Sequence, residues 1–214
     1  MRKLIRGVIF PSVIFITLST SFNILTPVWS AENPRDLASE IRRMSQNSQT
    51  VQQQDLQAWL RRAEPLLPQF NQISLAMTLH SLAKLKKAHH LKNPISDSFM
   101  QAWTSSALAK IERFNSQGLS NSLYAFSMLG IHPTDPFLQA WQKKATESIE
   151  SFNSQGLSNS LYAFSMLGIH PTDPFLQAWQ KKAMESIGSF NSQELSNSLY
   201  AFSVLGIHPT DPFL

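Results

Sequence analysis

Three asparagine–tyrosine pairs recur along the chain with the same internal spacing: Asn121 with Tyr124, Asn159 with Tyr162, and Asn197 with Tyr200. An amide can hydrogen-bond to the edge of a nucleobase, and a phenol ring can stack on its face. The same residues have a packing explanation, as ladders of helix-to-helix contacts and hydrogen bonds, and that explanation is preferred. A second cluster, Lys86, Lys87, His89 and His90, lies in KLKKAHHLK and carries the densest positive charge. It could meet phosphate, lipid head groups or an acidic protein, and reads equally well as a solvated loop. His132, His170 and His208 also recur, one in each turn between helices. Stacked units would hold them about 10 Å apart, the spacing of packed helices. That is too far to share an ion whose ligands sit at about 2 Å. No metal and no cofactor is expected.

Catalytic constellations are missing from the text. There is no Gly-rich phosphate loop, no H-E-x-x-H and no G-x-S-x-G, and without cysteine there is neither a thiol nucleophile nor a thiolate zinc ligand. The carboxylates fall at helix caps and helix ends. The expectation is a binding protein, not an enzyme, with no small-molecule substrate.

The elements that carry the Asn–Tyr pairs are written almost as copies. FNSQGLSNSLYAFSMLGIH at 114–132 returns unchanged at 152–170 and with two replacements at 190–208, a period of 38 residues. Periods of this size signal a stacked helical array. Leu119, Leu123, Phe126 and Leu129 share one face of a helix predicted over 117–129, capped by Asn115 or Ser116 and closed by Gly130. Asp135 is the predicted cap of a second helix, with Pro136 at its first position and a stripe of Phe137, Trp141, Ala145 and Ile149. Each unit is thus an αα-hairpin that cannot bury its apolar faces alone, so the units must stack. The fold class expected is all-α, an α-solenoid of 38-residue hairpins.

A worn copy precedes the clear ones. Phe70, Leu75, Leu79, Leu82 and Leu85 match Phe114, Leu119, Leu123, Phe126 and Leu129, and QAW at 101–103 matches QAW at 139–141, after a six-residue insertion. The organisation read from these matches is a signal peptide over 1–30, an N-terminal helix with a Gln/Ser-rich linker over 31–54, and an array over 55–214. The array divides into a half unit at 55–69, units at 70–113, 114–151 and 152–189, and a partial unit at 190–214. The last unit stops as its second helix begins, so the expectation is a fragment of a longer array, the alternative being that the exposed apolar face binds something.

Residues 1–30 join a basic start, MRKLIR, to an apolar run and small residues Val28 and Ser30 at a cleavage position, as in a secretory signal cut near Ser30. The alternative is a membrane anchor over residues 7–25, although the run is shorter than the ~20 residues of a span; only then would the membrane be a partner. Residues 31–113 carry eleven basic and seven acidic groups, whereas 114–214 carry four lysines, no arginine and seven acids. Acidic repeats and an export signal favour a secreted scaffold that binds a protein partner, with delivery to a host cell as one outcome.

QGLSNSLYAFSMLG, with its 38-residue period, resembles the octotricopeptide repeat, whose first helix reads like Q-D-L-A-N-T-L-W-A-L-A-K-L-G. Gln117, Leu119, Asn121, Leu123, Ala125, Leu129 and Gly130 match directly, and the likeness covers 56–214. Related bacterial repeat proteins of unknown function look similar. The resemblance implies a helical-repeat fold and, as the alternative function, sequence-selective RNA binding along a surface lined by first helices.

Overall fold

Local chemistry sets both ends of each first helix. Asn115 Oδ1 accepts the Gly118 N–H at 2.8 Å, Gly130 sits in the left-handed region at φ 63°, and the Ile131 N–H returns to the Phe126 carbonyl at 3.1 Å. The cap fills one free donor, and the glycine adopts a conformation that costs other residues strain. Asn153 with Gly168 and Asn191 with Gly206 repeat the device. In the last copy Glu194 stands at the position held by Gly118 in the first, and closes a reciprocal capping box with Asn191.

The computed structural model describes residues 33–88 and 95–208. Among these residues there are nine α-helices and no strand: α1 Pro34–Gln46, α2 Gln53–Ala63, α3 Gln72–Lys87, α4 Asp97–Leu108, α5 Ser116–Leu129, α6 Asp135–Glu147, α7 Ser154–Leu167, α8 Asp173–Glu185 and α9 Ser192–Leu205. Short 3-10 turns, such as Ile149–Ser151, lead from each second helix into the next unit. The odd-numbered helices pack in succession, α1 on α3, α3 on α5, α5 on α7 and α7 on α9, while α4, α6 and α8 form the other layer. The expected signal over 1–30 and the residues His89 and His90 lie outside the described residues. No helix among the described residues is long and apolar enough to cross a membrane.

Tryptophan holds each hairpin together and joins it to the next. Trp141 Nε1 donates to the Leu119 carbonyl at 2.9 Å inside its own unit. Its ring lies 5.8 Å from Phe164 and 5.5 Å from Phe175, one on each helix of the following unit. Trp103 repeats the arrangement with the Leu75 carbonyl, Phe126 and Phe137. The aromatic core therefore belongs to the junctions as much as to the units, which is the physical content of stacking.

Three expectations change. Trp59 Nε1 donates to the Leu37 carbonyl across 22 residues, the separation found for Trp141 with Leu119 and Trp179 with Leu157. α1 and α2 are therefore built as a hairpin of the same kind, where periodicity alone sets 31–54 apart as helix and linker and leaves 55–69 as a half unit. Second, Thr134 and Thr172 stand at the N-cap in extended conformation without a side-chain bond, and Asp135 and Pro136 occupy the first turn. A carboxylate there still faces the positive end of the helix dipole. Third, the second helix stops at Glu147, and Ile149 is buried from the 3-10 turn instead.

Candidate nucleic-acid interface

The stacked first helices turn the repeated Asn–Tyr pairs into two rows. The ring of Tyr162 lies 6.4 Å from that of Tyr124 and 5.9 Å from that of Tyr200, with planes tilted by 39° and 42°. Tyr124 and Tyr162 are half-buried, and Tyr200 is 51% exposed. Burial raises the Tyr162 hydroxyl above its ordinary pKa of 10.0, and the phenols of Tyr124 and Tyr200 add to the effect. Tyr162 is thus an uncharged ring at neutral pH.

Asn121, Asn159 and Asn197 are half-buried beside the rings. Among the described residues, neither their amides nor the tyrosine hydroxyls have a hydrogen-bond partner. The inter-unit bonds expected of the asparagines are made by other groups. Ser158 Oγ donates to the Glu194 carbonyl at 3.0 Å, and the Thr172 N–H to Gln142 Oε1 at 2.7 Å. His132 Nε2 lies 2.9 Å from the Leu167 carbonyl, a contact between units. The polar groups of the Asn and Tyr rows remain available to a ligand.

The register continues backwards into residues that pattern reading missed. Tyr124 stands five positions after Leu119, His80 five after Leu75, and Arg42 five after Leu37. Nine positions after the same leucines stand Met128, Lys84 and Gln46. A groove of about 480 Å³ crosses α1, α3 and α5 here, lined among others by Arg42, Gln46, His80, Lys84, Gln117 and Asn121. One feature of the sequence could have disclosed it: aligning Leu37 with Leu75 places Arg42 and His80 in the tyrosine row.

His80 is the most constrained of these groups. Its Nδ1 is buried without a partner. Burial, and then the nearby Lys84 ammonium, holds its pKa below the ordinary 6.5. The folded state therefore binds this proton less readily than the unfolded one. Stability present above pH 6.5 should fall as pH drops through the lowered value. An NMR titration should find His80 titrating below 6.5, and a bound phosphate should move it upward by offsetting Lys84.

The basic cluster read from sequence divides. The Lys86 ammonium donates to the Leu129 carbonyl, capping the C-terminal end of the next first helix as His132 does one unit further on. Lys86 thus has a structural partner, Lys87 is exposed, and His89 and His90 lie outside the described residues. The acids of 114–208 lie almost entirely on second helices and 3-10 turns, away from the tyrosine row; Glu194 alone lies on a first helix. Several pair there, Lys143 with Glu147 and Lys181 with Glu185 at 3.9 Å, and Lys182 with Glu150 at 3.0 Å. The net acidity of the repeats is therefore not a property of the face that carries Tyr and Asn.

A comparison with curated proteins returns no match. The family model of the RNA-editing substrate-binding complex 6 protein matches residues 48–213, which takes in α2 to α9, both layers and most of the groove. With more than half of its length matched, the chain belongs to the RNA-editing substrate-binding complex 6 protein family.

Proposed function

We propose that the chain is a non-catalytic scaffold that binds single-stranded RNA along the face of its first helices. The observation that carries this reading is the register that aligns Arg42 and His80, which line the groove, with the three neighbouring rings of Tyr124, Tyr162 and Tyr200. Single-strand binders combine these two features: cations neutralise the backbone and rings stack the bases. The family's name, with its RNA-editing substrate, and the octotricopeptide likeness of the first helices support the same reading. Acidic repeats and an export signal are the grounds for preferring a protein partner; the acidity weighs little, because the acids of 114–208 other than Glu194 lie on second helices and 3-10 turns.

Cations are few, so salt dependence should be moderate. Arg42 and Lys84 can neutralise about two phosphates, each contributing a slope of about −0.7 in log–log terms. Raising salt from about 50 to about 200 mM should weaken binding of a single-stranded RNA roughly tenfold. Fluorescence anisotropy across a salt series checks this. Absence of RNA binding at about 50 mM would defeat the proposal and return a protein partner to first place.

A further inference from the structure

We infer that the RNA taken by this face contains a run of at least three identical bases, an inference that rests on the RNA-binding reading. The units beginning at Phe114, Phe152 and Phe190 present the same amide and phenol groups: Gln117, Gln155 and Gln193; Asn121, Asn159 and Asn197; Tyr124, Tyr162 and Tyr200; beside them Met128 and Met166 give way to Val204, and Gly118 and Gly156 to Glu194. Where one helical repeat meets one base, discrimination comes from differences between repeats. Here successive rings stand 6.4 Å and 5.9 Å apart and successive amides are equally unengaged. Three neighbouring nucleotides would then meet one environment repeated three times. Whichever base suits one unit suits all three, and a foreign base in the run loses its match at that unit.

The run has a boundary. In α3 the Asn position holds Met77 and the Tyr position His80, and in α1 they hold Ser39 and Arg42. Amide and phenol ring are both replaced there, and charge takes over. Nucleotides on that side would be held by phosphate and contribute little to base choice.

The test compares the four homopolymeric RNA oligonucleotides with mixed sequences of equal length in which no base follows itself. One homopolymer should bind at least tenfold more tightly than every mixed sequence. Homopolymers and mixed sequences binding within twofold of one another would overturn this inference while leaving the RNA reading intact; no binding of any RNA would overturn both. Asn159→Ser supplies a second readout, since its half-exposed amide has no hydrogen-bond partner among the described residues. It should lower affinity for the preferred homopolymer at least threefold, and by more than for any mixed sequence. An equal loss for both kinds of RNA would assign Asn159 a role other than base choice and count against the inference.

Discussion

Trp141→Ala should remove about 3–5 kcal/mol of stability, the range for deleting a fully buried tryptophan. The residue has no exposed surface, and its ring meets Phe164 and Phe175 of the next unit at 5.8 Å and 5.5 Å. Two losses therefore coincide: the hairpin formed by α5 and α6 gives up the indole bond to Leu119, and the junction with α7 and α8 gives up its centre. In a stacked array, stability is a sum of unit and neighbour terms, so the injury acts on both. Urea denaturation followed by circular dichroism should show an earlier midpoint, with the transition broadening if the two sides of the junction unfold separately. Trp141→Phe should fall between, because it keeps part of the ring contact and loses the N–H donor. Lys143→Ala is the control: an exposed side chain whose partner is the nearby Glu147 at 3.9 Å, it should change stability by less than about 0.5 kcal/mol. A loss below about 1 kcal/mol for Trp141→Ala would mean that the junctions are not where the array is held.

The packing that this mutation attacks is what the sequence displays best. Leu119, Leu123, Phe126, Trp141 and their copies keep fixed spacings because a buried stripe tolerates little change, and Gly130 stands out because few residues accept its φ of 63°. α1 is harder to see. Its apolar residues Leu37 and Ile41 sit among Arg35, Asp36, Glu40, Arg42 and Arg43, so the helix reads as a charged cap until the Trp59–Leu37 bond reveals its register. The candidate site inherits that difficulty. Tyr124 and Asn121 are visible as repeated letters, but their alignment with His80 and Arg42 depends on knowing that α1 occupies the same place in its unit as α3. Lys86 shows the converse. Its charge invites a ligand in the sequence, yet the Leu129 carbonyl that holds it comes 43 residues later and is brought close only by stacking. Charge totals mislead for a similar reason: they add two layers that face different surroundings.

Tyr162→Ala should weaken single-stranded RNA binding by about 1–3 kcal/mol, roughly fivefold to a hundredfold and more, the usual cost of losing one base–aromatic stack. Tyr162 is the informative member of the row because a ring lies on either side of it, so its removal interrupts the stack instead of shortening it. The side chain is half-buried and its hydroxyl has no partner among the described residues, so helical content should survive the change. Tyr162→Phe separates the possible contacts. If stacking is the interaction, phenylalanine retains most of the affinity; if the hydroxyl reads a base or phosphate, it behaves like alanine. The slope of affinity against salt should stay the same in both variants, since neither removes a charge. Lys84→Gln should do the reverse and reduce that slope by about 0.7, because it leaves the rings intact and deletes one phosphate partner. A face that combines stacking with charge must show both responses separately. Affinity for RNA within twofold of the parent in Tyr162→Ala would remove the tyrosine row from the binding surface and leave the groove of Arg42, His80 and Lys84 to act alone.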